Sequence, residues 1–238
     1  MRTCNGILFF TLLASWAGAR CNLPRPRLIC AEYFQSKAVV IAKLTGVTPI
    51  KDDYDDLTGT YYSMTVEQAL RGQVSRLFRI YEANDPGRPK LDWKTGGSYV
   101  LFLRQQTPNG SWAIDWCGNS GPSDSKQSAL DQIDMLDPTS NRARIQGAVG
   151  GVSFAFPLAG VQVEASGPGG VTTAETDAVG RFEMRVAPGK YQVRALSPGK
   201  TFVADEFTYE NPDNLLLENG GCAQVQFVEA KNKQQKRD

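Results

Sequence analysis

No histidine occurs among the 238 residues. Its absence excludes Ser-His-Asp hydrolysis, histidine-ligated zinc and the one side chain that ordinarily titrates near neutral pH. Charge of a single sign is missing too. The 26 Lys+Arg face 25 Asp+Glu, so there is no basic excess to displace counterions from a nucleic acid, and no nucleic-acid partner is expected. There is no Gly-x-Ser-x-Gly, phosphate loop or dinucleotide fingerprint, and the chain reads as neither an enzyme nor a cofactor or metal binder. A carboxylate pair for glycoside hydrolysis is not touched by these absences, because any two acids can converge in space.

What is present starts with the leader. Residues 1–19, MRTCNGILFFTLLASWAGA, combine Arg2, an apolar run from Ile7 to Ala14 and the small triplet Ala17-Gly18-Ala19. That is the pattern of a secretory signal peptide, too short to span a bilayer. Downstream, no run is apolar enough for a transmembrane segment. Removing the leader deletes one arginine and no acid, leaving 25 basic against 25 acidic residues. Cys4 leaves with it, and Cys21, Cys30, Cys117 and Cys222 remain. An even number in an exported chain reads as two disulfides with three possible pairings. The expected location is secreted, periplasmic or on the cell surface.

Two all-β domains are expected, over 20–138 and 142–229, with a turn-rich boundary at Asp137-Pro138-Thr139-Ser140-Asn141 and a disordered tail at 230–238. In TYYSMTV (60–66), Tyr62, Met64 and Val66 share one face; LFRIYE (77–82) and SYVLFLR (98–104) alternate likewise. AVVIAKL (38–44) is apolar on both faces, as a doubly buried strand requires. Ala129, Leu130, Ile133 and Leu136 predict one helix over 124–136, stopped by Pro138. Together these predict a five-stranded OB-like barrel with a C-terminal helix. Downstream, short runs such as VQVEA (161–165), RFEMRV (181–186), KYQVRA (190–195), FVADEF (202–207) and AQVQFVE (223–229) alternate with Gly and Pro turns. They predict a small seven-stranded β-sandwich.

Several clusters have a bland and a functional reading. Asp52, Asp53, Asp55 and Asp56 surround Tyr54 and read as a solvated loop in preference to a cation site, since the spacing is not that of a calcium loop. Trp112, Ile114 and Trp116 share one strand face and read as barrel core. Trp93, in the polar stretch LDWKTGG (91–97), is the candidate exposed contact. Asn109-Gly110-Ser111 is a formal glycosylation sequon that a hairpin tip also explains.

Two resemblances follow from longer motifs. PLAGVQVEA (157–165), TDAVGRFEMRV (176–186) and APGKYQVRALSPG (187–199) resemble the carboxypeptidase regulatory-like, transthyretin-type sandwich. In that family Gly180 serves a hairpin turn and Pro188-Gly189 lets Tyr191 pack; Asp177 alone offers too few oxygens for calcium. Some relatives carry a Lys–Asn isopeptide crosslink, but RIQGAV (144–149) and AQVQFV (223–228) offer neither partner. CAEYFQSKAVVIAKLTGV (30–47), MTVEQALRG (64–72), GGSYVLFLR (96–104) and WCGNSGPSDSKQSALDQIDML (116–136) resemble the netrin-like barrel of tissue inhibitors of metalloproteinases. That resemblance implies a disulfide from Cys30 or Cys21 to Cys117, with Cys30–Cys117 preferred and Cys21 left to join Cys222. It also raises inhibition of a zinc metalloprotease through a mature N-terminal Cys21, although the family's Cys-x-Cys opening is absent. The principal reading is an exported protein-binding or cell-envelope scaffold module with an extracytoplasmic protein partner. Protease inhibition through Cys21 and carbohydrate adhesion through Trp93 are the alternatives. The small-residue rule places cleavage after Ala19, so N-terminal sequencing of the exported protein is expected to begin at Arg20; a chain beginning at Cys21 would overturn that.

Overall fold

The computed structural model describes residues 26–87, 89–106, 110–152, 156–206 and 208–230. The protein is all-β. Among the described residues, the first domain holds α1 (Ile29–Gln35), then β1 (Ala38–Lys51), β2 (Leu57–Arg71), β3 (Leu77–Ala83), β4 (Ser98–Gln106), β5 (Trp112–Ile114) and the two-residue β6 (Gly121–Pro122). A single 3-10 turn (Ser123–Ser125) leads into α2 (Gln127–Asp134). The strands form one sheet in the order β1-β2-β3-β5-β4-β6, and β1 also pairs with β4. Pairing therefore runs round a ring of the five expected strands. Its β3–β5 link is a single parallel pair, Ile80 with Trp112, so the ring is partly open and not a continuous barrel. Register shifts at Val39/Val40, Ile41/Ala42 and Leu44/Gly46 coil the long β1–β2 pair, as bulges do.

Strand alternation sorts the side chains into two cores. Val40, Ala42, Leu44, Met64, Ile80, Leu101 and Leu103 fill the ring's interior, with Trp112 and Trp116 packed against them. On the outside of β1 and β4, Val39, Val100 and Phe102 meet Tyr33 of α1 and Ile133 of α2. The AVVIAKL run is thus apolar on both faces because helices cover what would otherwise be its wet side. Helix α2 is shorter than the sequence predicts, but it buries the expected Ala129 and Ile133. Helix α1 was not foreseen: it has seven residues, and Leu28 provides no side-chain cap.

The second domain comprises β7 (Ala143–Gly150), β8 (Gln162–Gly167), β9 (Gly170–Glu175), β10 (Arg181–Val186), β11 (Gly189–Leu196), β12 (Phe202–Ala204), β13 (Leu215–Leu217) and β14 (Cys222–Glu229). Two four-stranded sheets, β10-β7-β14-β12 and β13-β11-β8-β9, enclose a core that includes Ile145, Val163, Phe182, Val193, Leu215 and Val225. Among the described residues the sandwich has eight strands, where about seven were expected. The additional ones are hard to read locally: β9 is an exposed edge with alternating small residues, and β13 is three leucines long. The last strand, β14, runs parallel to β7 and antiparallel to β12, and so lies inside its sheet.

Turn chemistry behaves as its residues require. Asp177 accepts from the backbone N–H groups of Val179 and Arg181, and Gly180 takes φ +71°, so Asp177 is a turn residue and not a ligand. Tyr191 is buried and its hydroxyl donates to the Ala187 carbonyl at 2.9 Å. Gly147 is needed for space. A Cβ there would run into the Val225 carbonyl oxygen and the Phe182 ring. Gly147→Ala is expected to cost about 1–3 kcal/mol by overpacking, read as a lower urea midpoint; an unchanged midpoint would refute the close approach.

Candidate functional site

The site is built around residues 26–28, an extended stretch laid on the outer face of β14. Gln224 holds it by its backbone. The side-chain oxygen of Gln224 accepts from the Leu28 N–H at 2.8 Å, and its amide nitrogen donates to the Pro26 carbonyl at 3.0 Å. Immediately beyond, Cys30 in α1 is disulfide-bonded to Cys222 at the start of β14, 192 residues away. The expected Cys30–Cys117 pairing is therefore incorrect. The helix at 29–35 carries Cys30 to the second domain, so the tie between the N-terminal segment and that domain starts from Cys30 and not from Cys21. Cys117 is disulfide-bonded as well. Cys21, the expected point of protease contact, lies outside the described residues.

Arg27 points away from Gln224 into a buried seam between the domains. Its Nη1 donates to Asp115 Oδ2 at 2.8 Å and lies 3.7 Å from Glu32 Oε1. Its Nη2 donates to Gln35, and its guanidinium stacks 4.8 Å over the Tyr209 ring. Glu32 is fully buried; its Oε2 accepts from both the backbone and side-chain nitrogens of Asn119 at 2.7 Å. Arg104 adds a second cation 3.6 Å from Asp115. On the sandwich side, Glu210 lines a cavity of about 350 Å³ together with Arg104, Gln35 and Tyr209. Among the described residues the Tyr209 hydroxyl has no hydrogen-bond partner, and the Glu210 carboxyl has none that meets full hydrogen-bond geometry, although the Gln224 backbone lies close enough to act on it.

Electrostatics explain the protonation pattern. Burial pushes the Glu210 carboxyl up to about 8, against the pull of the Gln224 backbone and of Arg27 and Arg104. Burial also raises Glu32, with Arg27 opposing, and lifts the Tyr209 phenol to about 12. With Glu210 protonated, the two arginines face two carboxylates, Glu32 and Asp115. A third buried anion would have no cation of its own.

Beside this seam, a groove of about 900 Å³ crosses the outer face of β10, β7 and β14. Pro26 and Leu28 form one wall, and Gln146, Gln224 and Gln226 contribute amides. Glu183 accepts from Gln146 at 2.6 Å, and Arg181, Glu175 and Asp177 stand at the exposed rim.

The other candidates lie elsewhere. Trp93 is not an exposed contact. It is half-buried, stacked on Tyr62 at 4.5 Å and tilted against Tyr99 at 4.6 Å, because the Tyr99 hydroxyl donates to the Asp92 carbonyl and draws its loop over the end of the ring. Beneath it Tyr62 donates to buried Glu82 at 2.6 Å. Asp52, Asp53, Asp55 and Asp56 occupy an exposed hairpin in which Asp52 accepts from the N–H groups of Tyr54 and Asp56. Among the described residues no group of three or more acidic or cysteine side chains is placed to hold a metal ion. Asn109 lies outside the described residues. Sequence reasoning missed Arg27, Glu32, Asp115 and Glu210; Asp115 lies 88 residues from Arg27, and Asn119 lies 87 from Glu32. The one available signal was in β14, where amides occupy the face opposite Ala223, Val225 and Phe227.

No family model matches the chain, and no curated protein matches it. Among solved structures, it is similar to the Bacillus anthracis TIE protein, 13% identical over 82% of this chain and 31% of that one, at a TM-score of 0.27. The shaft pilin spaA of Lactobacillus rhamnosus GG is 9% identical over 83% of this chain and 86% of its own, with a TM-score of 0.26. The dioxygenase domain of a dioxygenase–carbohydrate-binding protein fusion from Streptomyces sp. SirexAA-E is 15% identical over 37% of this chain and 79% of that one, with a TM-score of 0.25. At these scores none of them bears on what the chain does.

The seam has a pH signature. Folded Glu210 keeps its proton to about pH 8, whereas the unfolded chain releases it near 4.5. Unfolding between those values therefore releases a proton, and stability falls as pH rises through the window. Glu210→Gln is expected to flatten that fall, leaving a residual slope from Glu32. Its urea midpoint should exceed the parent's by a margin that grows from pH 5 to pH 8 and then levels; parallel profiles would remove Glu210 from the account.

Proposed function

We propose that the protein is an exported, non-enzymatic binding or scaffold module that works outside the cytoplasm and presents its sandwich groove to a protein partner. The observation that carries this reading is the lock between the domains. One disulfide, Cys30–Cys222, closes a span of 192 residues, and the Gln224 clasp and the Arg27 cluster lie directly beside it. A crosslink over so long a loop contributes about 5 kcal/mol in the chain-entropy view, and such bonds form and persist chiefly in oxidising compartments. Rigid coupling of two β domains suits a part that holds a surface in place, since binding loses less entropy when the surface is preorganised.

The leader at 1–19 supports the same compartment from the sequence. Among the described residues no helix is long and apolar enough to cross a membrane. The partly open ring of β1, β2, β3, β5 and β4 supports the OB-type, netrin-like reading of the first domain, and the two four-stranded sheets support a transthyretin-type reading of the second. A zinc metalloprotease as the partner would depend on Cys21, and no feature of the described site favours it.

Compartment and oxidation are tested together by expressing the full chain in its native host and alkylating fractions without reduction. The expected result is recovery outside the cytoplasm with Cys30, Cys117 and Cys222 resistant to alkylation until reductant is added. Free thiols at these positions in a cytoplasmic fraction would overturn the proposal.

A further inference from the structure

The outer face of β14 carries two glutamines, Gln224 and Gln226, about 6.6 Å apart by the rise of a strand. Gln224 shows what such a side chain does here: with one donor and one acceptor it holds an extended peptide, residues 26–28, by its backbone alone. Gln226 stands on the same face and lines the same groove. It is 0% exposed, yet among the described residues neither its amide oxygen nor its amide nitrogen has a hydrogen-bond partner. Leaving both ends of a buried primary amide unpaired is costly, and its two-residue offset from Gln224 matches the repeat of an extended chain.

The protein's own N-terminal stretch does not supply the missing partner by the same contact. One step on from Leu28 is Pro26, and proline has no N–H to donate to the Gln226 oxygen. The rim of the groove adds a charge requirement. Glu175, Asp177 and Glu183 oppose the single cation Arg181, all exposed, so the rim favours a cationic ligand. From the unpaired amide, the Gln224 precedent and this acidic rim, we infer that the groove binds an extended, lysine- or arginine-bearing segment of a partner protein, with Gln226 holding its backbone as Gln224 holds residues 26–28. The inference rests on the binding-module reading and specifies the partner's chemistry.

The test uses the oxidised chain from Arg20 and a fluorescent, acetylated octapeptide of alternating threonine and lysine, followed by anisotropy. Saturable binding is expected, absent for the threonine–glutamate counterpart. Gln226→Leu should weaken it at least tenfold without lowering the thermal midpoint, because the substitution removes an unpaired amide; Gln226→Met serves if the leucine variant does not fold. N-methylating successive backbone nitrogens of the peptide should weaken binding tenfold at one position, which attraction between charges alone would not produce. Glu183→Gln should weaken binding less, and that difference should vanish at high salt. Binding that ignores both Gln226→Leu and N-methylation would overturn the inference, as would no binding. So would binding seen only after truncation beyond Ala230, which would make the chain's own basic tail, KNKQQKRD, the occupant. Any of these failures would leave the compartment result intact; the module reading falls with that result instead.

Discussion

The molecule depends on one docking event, the laying of residues 26–28 across β14. Gln224 fixes the backbone of that stretch, and α1 begins at Ile29, directly after Leu28. Because Cys30 sits in the first turn of α1, the docked segment brings it to Cys222. Two domains whose strands do not share a sheet are thereby joined at the N-terminal segment of one and the final strand of the other. β14 suits this role. It lies between β7 and β12 with its inward face in the core, so a segment anchored on its outer face is anchored to the most constrained part of the sandwich.

Alternation along this short stretch gives it two uses. Pro26 and Leu28 face the groove, whereas Arg27 turns into the seam, as successive residues of an extended chain must. Arg27 then serves both domains at once, through Asp115 and Glu32 of the first and the Tyr209 ring of the second. A buried guanidinium is tolerable only when its charge is answered nearby. The answer comes from Glu32 and Asp115, 5 and 88 positions away.

Much of the architecture was legible from local pattern. Period-two runs located β2, β3, β4, β10 and β11, and the spacing of Ala129 and Ile133 located α2, because each buries one face against a single neighbouring layer. Asp177 and Gly180 read correctly as a turn for the same local reason. What failed was decided at a distance. Trp93 sits in a stretch that is polar by composition, yet Tyr99 folds that stretch over the ring. Helix α1 has little helix signal of its own and exists because Tyr33 packs on Val39, Val100 and Phe102. The disulfide pairing went wrong with it: by analogy Cys30 belonged to the barrel, whereas the helix turns it to the sandwich. Two weak strands, β9 and β13, are held by their neighbours β8 and β11 more than by their own composition.

Burial leaves several polar side-chain atoms unpaired among the described residues, and the seam and the groove accommodate theirs differently. In the seam, protonation of Glu210 makes the charges balance without any ligand: the arginines meet Glu32 and Asp115, and the neutral carboxyl imposes no further demand for a cation. Gln226 has no such escape, because an amide cannot discharge its polarity by taking or losing a proton. It shares its face with Gln224, which displays the geometry by which a peptide backbone meets both ends of such an amide. The missing histidine fits this division. The seam is governed by a carboxyl whose burial moves its pKa towards neutrality, whereas the floor of the groove is lined by amides that do not titrate and its carboxylates stand at the rim.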